Sequence, residues 1–250
     1  MKKYTIITGA GDGLGKRLAL ELAEKKKNLI IISRGNNLNK TYNILSKHDI
    51  ECIKIQCDIS NFKKINCELE KIIYKNFTHV DLVLCAGTIG LPGGILNSDL
   101  EDWSHTYNVN VLGNINILKF FLNNTHLVTK SIFIAGGGSA YGYPELFGYS
   151  ISKTALVRAI ENIYLEMKKI NVNHITHIIS PGAMKTKMLE IVKNTGAEIK
   201  TTVPIHETIT IIIKLLDQDY YHLNGKFFHV RDDLNKSFSN KEKWLLRRIQ

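Results

Sequence analysis

Short apolar runs alternate with longer amphipathic stretches along the whole chain of 250 residues. The runs have the length of buried strands, and the stretches between them repeat apolar residues at helical spacing. We therefore predict strands near 4–8, 28–33, 52–57, 80–85, 131–135, 174–180 and 226–230. We predict helices near 14–27, 37–48, 60–76, 98–123, 148–169 and 204–217.

This order of elements predicts an α/β fold. Repeated β-α units joined by right-handed crossovers give a doubly wound parallel sheet with helices on both faces. The chain has no internal repeat, low-complexity tract or linker, and its length suits one domain. We predict a single Rossmann-type domain over residues 1–250, with about seven strands in the sheet.

Composition narrows the class of protein. The net charge of +10 does not indicate nucleic-acid binding, because the lysines are dispersed and no aromatic residues interleave with a basic stripe. No apolar stretch reaches membrane-spanning length, and the first one ends at Gly9, too early for a signal peptide core. The four cysteines lack C-x-x-C spacing, which favours reduced thiols and a cytoplasmic protein. His174 and His177 lie three apart in a strand, on opposite faces, so we expect no metal site.

A glycine-rich turn follows the first predicted strand and opens the first predicted helix. It reads Thr8-Gly9-Ala10-Gly11-Asp12-Gly13-Leu14-Gly15. Glycine tolerates positive φ and lets backbone N–H groups approach a pyrophosphate at a helix N-terminus. This context is typical of a dinucleotide site, although a tight turn without a ligand can contain the same residues.

Tyr149 and Lys153 lie one helical turn apart, so they share a face of a predicted helix. The spacing alone is not specific, because Tyr164 and Lys168 repeat it. Tyr149, however, closely follows a strand and a glycine-rich loop, and open α/β sheets bind ligands just past the carboxyl ends of their strands. We predict that Tyr149 and Lys153 are catalytic, with the Lys153 charge lowering the pKa of the Tyr149 phenol.

Five motifs in the same order resemble the classical short-chain dehydrogenase/reductase (SDR) family, and the resemblance covers nearly the whole chain. They are the glycine turn, Asp58 after the third predicted strand, Asn110 in Trp-Ser-His-Thr-Tyr-Asn-Val-Asn, the pair Tyr149 and Lys153, and Pro181-Gly182-Ala183-Met184-Lys185-Thr186. The resemblance implies an oxidoreductase that interconverts a carbonyl and a secondary alcohol by hydride transfer with NAD(P). It also implies a homodimer or homotetramer packed through the helices near 98–123 and 148–169.

The resemblance implies residue roles as well. Tyr149 is expected to act as the acid/base, with Lys153 on the nicotinamide ribose and Asn110 holding a water that relays protons. The residues expected to bind the cofactor come from the family motifs and from the end of the second predicted strand. They are Thr8, Gly9, Gly11, Asp12, Gly13, Leu14, Gly15, Ser33, Arg34, Asp58, Ile59, Ala86, Gly87, Tyr149, Lys153, Pro181, Gly182 and Thr186.

Two departures from the family pattern affect the site. The usual serine at the end of the fifth strand is missing, since the chain reads Ala135-Gly136-Gly137-Gly138 there. We predict that Ser139, the nearest hydroxyl, takes its catalytic role; the alternatives are backbone N–H groups, Tyr141, or Ser139 as a plain loop residue. The usual Asn-Asn-Ala-Gly reads Leu84-Cys85-Ala86-Gly87, so other groups must replace the hydrogen bonds of its first asparagine.

The end of the second strand favours NADP(H) over NAD(H). An acidic residue there would bind the 2′-hydroxyl of NAD, but the chain has Ser33 and Arg34. The guanidinium of Arg34 suits the 2′-phosphate of NADP. The alternative is that Arg34 is an ordinary surface arginine that binds no ligand. Asp12 opposes this preference, because a carboxylate near the 2′-phosphate would repel it. NAD(H) therefore remains possible.

Two rival functions remain open at this point. One is a nucleotide-sugar epimerase or dehydratase of the extended SDR branch, which usually adds a C-terminal substrate domain that this chain is too short to hold. The other is a non-catalytic dinucleotide-binding protein, which the missing serine favours. We also predict a substrate lid over 184–203 and a basic C-terminal tail over 236–250. The resemblance implies a small carbonyl or alcohol substrate; sugar, polyketide, acyl-carrier thioester and steroid ketones all use this scaffold.

Overall fold

Seven strands and eight α-helices account for most of the structure, a computed structural model that describes residues 2–73, 77–124, 128–199 and 202–236. The strands are β1 (Lys2–Thr8), β2 (Asn28–Ser33), β3 (Cys52–Gln56), β4 (Phe77–Leu84), β5 (Val128–Ile134), β6 (Ile175–Ser180) and β7 (Phe227–His229). The helices are α1 (Gly13–Glu24), α2 (Asn37–Leu45), α3 (Phe62–Ile73), α4 (Leu100–Tyr107), α5 (Asn114–Asn124), α6 (Phe147–Lys169), α7 (Lys187–Asn194) and α8 (Ile205–Asp217).

The strands form one parallel sheet in the order β3-β2-β1-β4-β5-β6-β7. The order reverses beside β1, so the carboxyl ends of β1 and β4 flank a crevice of the kind in which open α/β sheets bind ligands. The prediction of a single doubly wound domain is confirmed.

Continuous apolar sequence explains the central strands. Residues 29–32 of β2 are all fully buried, as expected for a strand covered by helices on both faces. The core divides into two clusters that the sheet separates. One contains Phe121 and Val157 from α5 and α6, and the other contains Leu18 and Ile212 from α1 and α8. Helices on both faces thus hold the carboxyl edge of the sheet in place.

The helix predicted over 98–123 is divided in the structure. A π-helical turn, Asn108–Gly113, joins α4 to α5. Asn114, the first residue of α5, donates from its side-chain Nδ2 to the carbonyl oxygens of Val109 and Asn110 in this turn, which supports the wider turn. Periodicity cannot predict such an insertion, because the residues on either side keep ordinary helical spacing. The structure also adds α7, which the sequence analysis did not predict.

Two predicted segments lie partly outside the described residues. Residues 200 and 201 of the predicted lid, and residues 237–250 of the predicted tail, belong to this group. Among the described helices, none combines the length and apolar character needed to cross a membrane.

His177 of β6 makes stability sensitive to acid. The side chain is fully buried, and its Nδ1 lies 3.2 Å from the carbonyl oxygen of Leu223. Burial, and to a smaller extent the nearby charges of Lys130, His174 and His222, lowers the pKa of His177 to about 4. The unfolded chain would bind this proton near pH 6.5, so stability is lost as the pH falls from about 6.5 towards 4.

We expect His177 to contribute up to about 3 kcal/mol to the acid sensitivity of unfolding, because its pKa falls from about 6.5 in the unfolded chain to about 4 in the folded protein. The measurement is the free energy of unfolding by urea at pH 7 and pH 4.5. His177→Asn should lose less stability between the two pH values than the wild type does. His206→Asn, at an exposed position, is the control, and an equal loss in all three proteins would contradict the prediction.

Candidate active site

A cleft of about 430 Å³ lies at the carboxyl edge of the sheet. The glycine turn after β1, the ends of β4 and β5, the start of α6 and the segment 181–199 form its walls. Most residues predicted to bind the cofactor line it: Gly9, Gly11, Asp12, Gly13, Leu14, Gly15, Ser33, Arg34, Gly87, Tyr149, Lys153, Pro181, Gly182 and Thr186. Thr8, Asp58, Ile59 and Ala86 are not on its walls.

The glycine turn depends on glycine at three positions. Gly9 and Gly13 have φ of 69° and 54°, in the left-handed region. A Cβ at Gly15 would lie 2.6 Å from the carbonyl oxygen of Gly9. Asp12 caps α1, because its Oδ1 accepts a hydrogen bond of 2.8 Å from the backbone N of Gly13. The turn thus brings a helix N-terminus to the cleft with little side-chain bulk, which suits a pyrophosphate.

Thr8 and Ala86 do not line the cleft but belong to a hydrogen-bond network next to it. The Thr8 hydroxyl accepts from the backbone N of Ala86 (2.9 Å) and donates to Oδ1 of Asn114 (3.2 Å). The Nδ2 of Asn114 in turn donates to the carbonyl oxygen of Ala86 (2.9 Å). This buried network joins the ends of β1 and β4. Thr8 and Asn114 therefore supply links at the segment where the family's first asparagine is missing.

Arg34 lies at the outer end of the cleft beside Asp58. Its Nη1 is 3.4 Å from Oδ2 of Asp58, and its side chain is 58% exposed. The other Asp58 oxygen accepts hydrogen bonds from the backbone N and hydroxyl of Ser60. Burial opposes ionisation of Asp58, but the hydrogen bonds from Ser60 and Arg34 outweigh it and lower the pKa of this carboxyl. Arg34 thus presents an exposed cation to the cleft. Its ion pair with Asp58 lies at the surface, where such pairs are weak.

The side chains of Tyr149 and Lys153 meet inside the cleft. The Lys153 Nζ lies 5.8 Å from the centre of the Tyr149 ring and donates a hydrogen bond of 2.9 Å to the carbonyl oxygen of Ile134. Both side chains come from the first two turns of α6 and approach the end of β5. Tyr164 packs instead against Gly225, on the far part of the same helix.

Asn110 lies in the π-helical turn and joins the cleft to α6. Its Nδ2 donates to the carbonyl oxygen of Thr88 (2.9 Å) and to the hydroxyl of Ser152 (2.8 Å), and its Oδ1 accepts from the backbone N of Thr88 (2.7 Å). The Ser152 hydroxyl donates to the carbonyl oxygen of Tyr149 (2.7 Å). Asn110 is fully buried, so these bonds fix the Tyr149 backbone relative to the crevice.

The pKa values of the pair differ from the sequence prediction. Burial, with a smaller contribution from Tyr143, raises the pKa of Tyr149 to about 12, and burial lowers the pKa of Lys153 to about 8. The prediction that Lys153 lowers the Tyr149 pKa is therefore corrected for the protein alone, because desolvation of the phenolate dominates. Tyr149 is therefore protonated at neutral pH, as a phenol of ordinary pKa also is, and burial makes it a weaker acid than that phenol.

The predicted role of Ser139 does not fit its position. The Ser139 hydroxyl donates a hydrogen bond of 2.7 Å to the carbonyl oxygen of Gly136, is fully buried, and is not on the cleft wall. Tyr141 is 49% exposed and also lies off the wall. Gly136 itself faces Tyr149: a Cβ there would lie 2.5 Å from the Tyr149 hydroxyl oxygen. We therefore correct the expectation for Ser139, whose hydroxyl is occupied by a local backbone bond.

The start of α7 closes one side of the cleft over the glycine turn. The Lys187 Nζ lies 3.1 Å from Oδ2 of Asp12, and Thr186 caps the helix by accepting from the backbone N of Leu189. The hydrogen bond from Gly13 and the bond from Lys187 lower the pKa of the Asp12 carboxyl. The Asp12 charge, which the sequence analysis counted against NADP, is therefore paired with a cation.

Sequence reasoning missed several cleft and supporting residues. Asn114 and Ser152 support the site through hydrogen bonds, and helical spacing from Asn110 and Tyr149 could have suggested them. Seven side chains of the cleft wall were not predicted as site residues, although five of them belong to the predicted lid over 184–203. The seven are Tyr143, Leu146, Met184, Met188, Val192, Glu198 and Ile199.

Comparison with known proteins assigns the family. The family model described as short chain dehydrogenase matches residues 3–196. The chain therefore belongs to the short chain dehydrogenase family, which confirms the sequence-based resemblance. It is an oxidoreductase that uses a nicotinamide dinucleotide.

Similar proteins include both reductases and dehydrogenases. A 3-oxoacyl-[acyl-carrier-protein] reductase FabG of Buchnera aphidicola is 29% identical over 241 residues, covering 92% of this chain and 96% of the relative. A CLA biosynthesis dehydrogenase/reductase of Lactiplantibacillus plantarum is 24% identical and covers 90% of this chain and 80% of the relative. The crystal structure of NAD⁺-bound xylitol dehydrogenase has a TM-score of 0.81 at 20% identity, covering 91% and 96% of the two chains. The structural likeness shows the shared fold.

Proposed function

We propose that this protein is an NADP(H)-dependent oxidoreductase that interconverts a carbonyl and a secondary alcohol, with Tyr149 as the acid/base. The observation that carries the proposal is the Tyr149 hydroxyl in the cleft, beside Lys153 and facing the bare position at Gly136. A carbonyl oxygen next to this hydroxyl would receive its proton. The opposite direction would use the same group as a base, by microscopic reversibility.

The residues of the cleft fit a dinucleotide. The glycine turn has no side chains at positions where a Cβ would collide with the backbone, so the backbone itself can approach a ligand. The N-terminus of α1 favours a pyrophosphate there. Gly87 is also confined, because a Cβ there would lie 3.2 Å from Oδ1 of Asn110 and 3.4 Å from Nζ of Lys153. Pro181, Gly182 and Thr186 would complete the wall around the nicotinamide. When bound, the cofactor supplies the hydride.

The protein's own groups would manage the proton. The Tyr149 phenol is protonated at neutral pH and would donate that proton to the substrate oxygen. Lys153, whose ammonium lies close to the ring, would stabilise the phenolate left after donation. Asn110 and Ser152 hold the Tyr149 backbone in place through two successive hydrogen bonds. We propose that these four residues act as a unit.

The preference for NADP(H) rests on charge at the outer end of the cleft. Arg34 offers an exposed guanidinium, Ser33 lines the same wall, and Lys187 neutralises Asp12. With a 2′-phosphate bound, Arg34 would replace its weak surface ion pair with Asp58 by a charge-assisted hydrogen bond to the phosphate. NADPH should therefore bind more tightly than NADH.

Arg34→Ala should narrow the difference between NADPH and NADH binding by about 1.5–3 kcal/mol, the value of a hydrogen bond to a charged group. The measurement is the dissociation constant of each cofactor by fluorescence titration. Arg158→Ala is the matched control, because Arg158 is similarly exposed and forms an ion pair with Glu161 on α6. Equal or tighter NADH binding by the wild type would contradict the preference.

A screen of carbonyl substrates tests the function itself. The first probe is a 3-oxoacyl thioester, since the Buchnera relative is named a 3-oxoacyl-[acyl-carrier-protein] reductase. Neutral ketones follow, because Leu146, Met188 and Val192 contribute apolar side chains to the cleft wall. Loss of absorbance at 340 nm with NADPH supports the proposal. Tight cofactor binding without turnover of any probe would favour a non-catalytic dinucleotide-binding protein, the rival that Gly136 in place of the serine suggests.

We also propose that the described part of the predicted lid, residues 184–199, covers the substrate. Met184, Met188 and Val192 support this proposal, because they line the cleft from this segment.

We further propose that the protein is a homodimer or homotetramer. The exposed apolar residues Leu112 and Ile151, on the surfaces of the π-helical turn and α6, support this proposal. Light scattering coupled to size-exclusion chromatography would measure the mass of the assembly.

A further inference from the structure

The hydroxyls of Tyr149 and Tyr143 lie next to two successive glycines, Gly136 and Gly137, just after β5. A Cβ at Gly136 would lie 2.5 Å from the hydroxyl oxygen of Tyr149, and a Cβ at Gly137 would lie 2.9 Å from that of Tyr143. The glycines thus leave room for both hydroxyls where side chains would otherwise begin. Gly136 is extended, with φ of 174°, so its role here is this space and not an unusual backbone conformation.

We infer that Tyr143 is a catalytic residue that donates the second hydrogen bond to the substrate oxygen, the role left open by the missing serine. This inference rests on the proposed function, because it concerns the same carbonyl that Tyr149 protonates. Tyr143 lines the cleft together with Tyr149. A developing alkoxide in a site sheltered from water needs such a donor besides the proton source.

Three other hydroxyls of this part of the fold are engaged elsewhere. The Ser139 hydroxyl donates to the carbonyl oxygen of Gly136, and that of Thr154 donates to Ser150. The Thr186 hydroxyl donates to the carbonyl oxygen of Met184. The Tyr143 hydroxyl, by contrast, makes no hydrogen bond to any residue that the structure describes, and it is available to a ligand.

The surroundings of Tyr143 make it a donor only. Burial, and to a lesser degree the neighbouring Tyr141 and Glu198, raises the pKa of its phenol. It therefore stays protonated throughout the reaction. In the reducing direction the carbonyl carbon gains a hydride as NADPH is oxidised, and the oxygen takes the proton of Tyr149. Tyr143 keeps its own proton and only stabilises the charge on that oxygen, and solvent restores the Tyr149 proton.

Tyr143→Phe removes this donor and keeps the ring. With NADPH and ethyl 3-oxobutanoate or 9,10-phenanthrenequinone as probes, kcat should fall by about 10–10³, the usual effect of losing one such donor. The dissociation constant of NADPH should stay unchanged. Tyr141→Phe, which removes the hydroxyl two residues away, should change kcat by less than about threefold.

A second pair of variants tests the position independently of the phenol. Gly137→Ala places a methyl group against the Tyr143 hydroxyl and should lower kcat, whereas Gly142→Ala, with no atom within 4 Å, should not. In the Tyr143→Phe background, Gly137→Ala should have little further effect, because the displaced oxygen is already gone.

Different results would overturn different claims. If Tyr149→Phe abolishes turnover while Tyr143→Phe turns over like the wild type, the role of Tyr143 is excluded and the proposed function stands. If Tyr141→Phe loses activity and Tyr143→Phe does not, Tyr141 is the donor. If the wild type reduces none of the probes, or Tyr149→Phe remains fully active, the proposed function fails and the role of Tyr143 fails with it.

Discussion

Tyr149→Phe should lower turnover by about 10²–10⁴, the usual value of a positioned proton donor, while the fold and NADPH binding persist. The variant removes one oxygen from a ring whose position is fixed by α6, and the Lys153 bond to Ile134 does not involve that oxygen. The measurement is kcat on a substrate found by the screen, together with the NADPH dissociation constant and the thermal midpoint.

Tyr164→Phe is the matched control for this loss. Tyr164 has a lysine four residues later, as Tyr149 does, but its ring packs against Gly225 away from the cleft. Its phenylalanine variant should keep turnover close to that of the wild type. Equal losses in both variants would show that the effect is structural, and the assignment of Tyr149 would fail.

Gly15→Ala should weaken NADPH binding by at least about tenfold, because displaced backbone donors cost roughly 1.5–3 kcal/mol each when they face a charge. The new methyl group would lie 2.6 Å from the carbonyl oxygen and 2.9 Å from the carbonyl carbon of Gly9, and neither is a flexible side-chain end. The turn must therefore shift. Helix propensity alone would favour alanine in α1 by about 1 kcal/mol, whereas crowding costs about 1–3 kcal/mol, so the crowding should prevail.

Gly142→Ala is the control for this substitution, since open space surrounds its position. Titration of both variants with NADPH, with unfolding by urea measured alongside, separates loss of affinity from loss of stability. Wild-type affinity in Gly15→Ala would mean that the turn tolerates a side chain and does not hold the cofactor as proposed.

The sheet and α6 could be predicted because their signals lie in the local sequence. The run Leu29–Ile32 is apolar without interruption, so it reads as a strand buried on both faces, and the sheet confirms it. The spacing of Tyr149 and Lys153 places both on one face of α6, and the preceding strand places that face at the carboxyl edge. These features need no knowledge of distant contacts.

Other features depend on contacts that sequence spacing does not contain. The π-helical turn is supported by Asn114, whose side chain bonds to carbonyls four and five residues earlier. Ser139 was predicted for the cleft because it carries the nearest hydroxyl, but a bond to Gly136 three residues earlier engages it. Tyr143 has no motif position, and only the folded loop brings its hydroxyl beside Gly137.

Transfer of deuterium tests the central claim most directly. The protein would be incubated with the carbonyl substrate found by the screen and NADPH carrying deuterium at C4 of the nicotinamide, and the alcohol analysed by mass spectrometry and NMR. We predict one deuterium on the former carbonyl carbon in the wild type and Tyr164→Phe, formed far more slowly in Tyr149→Phe. An alcohol without deuterium at that carbon from either labelled face of NADPH, or equal rates in all three proteins, would contradict it.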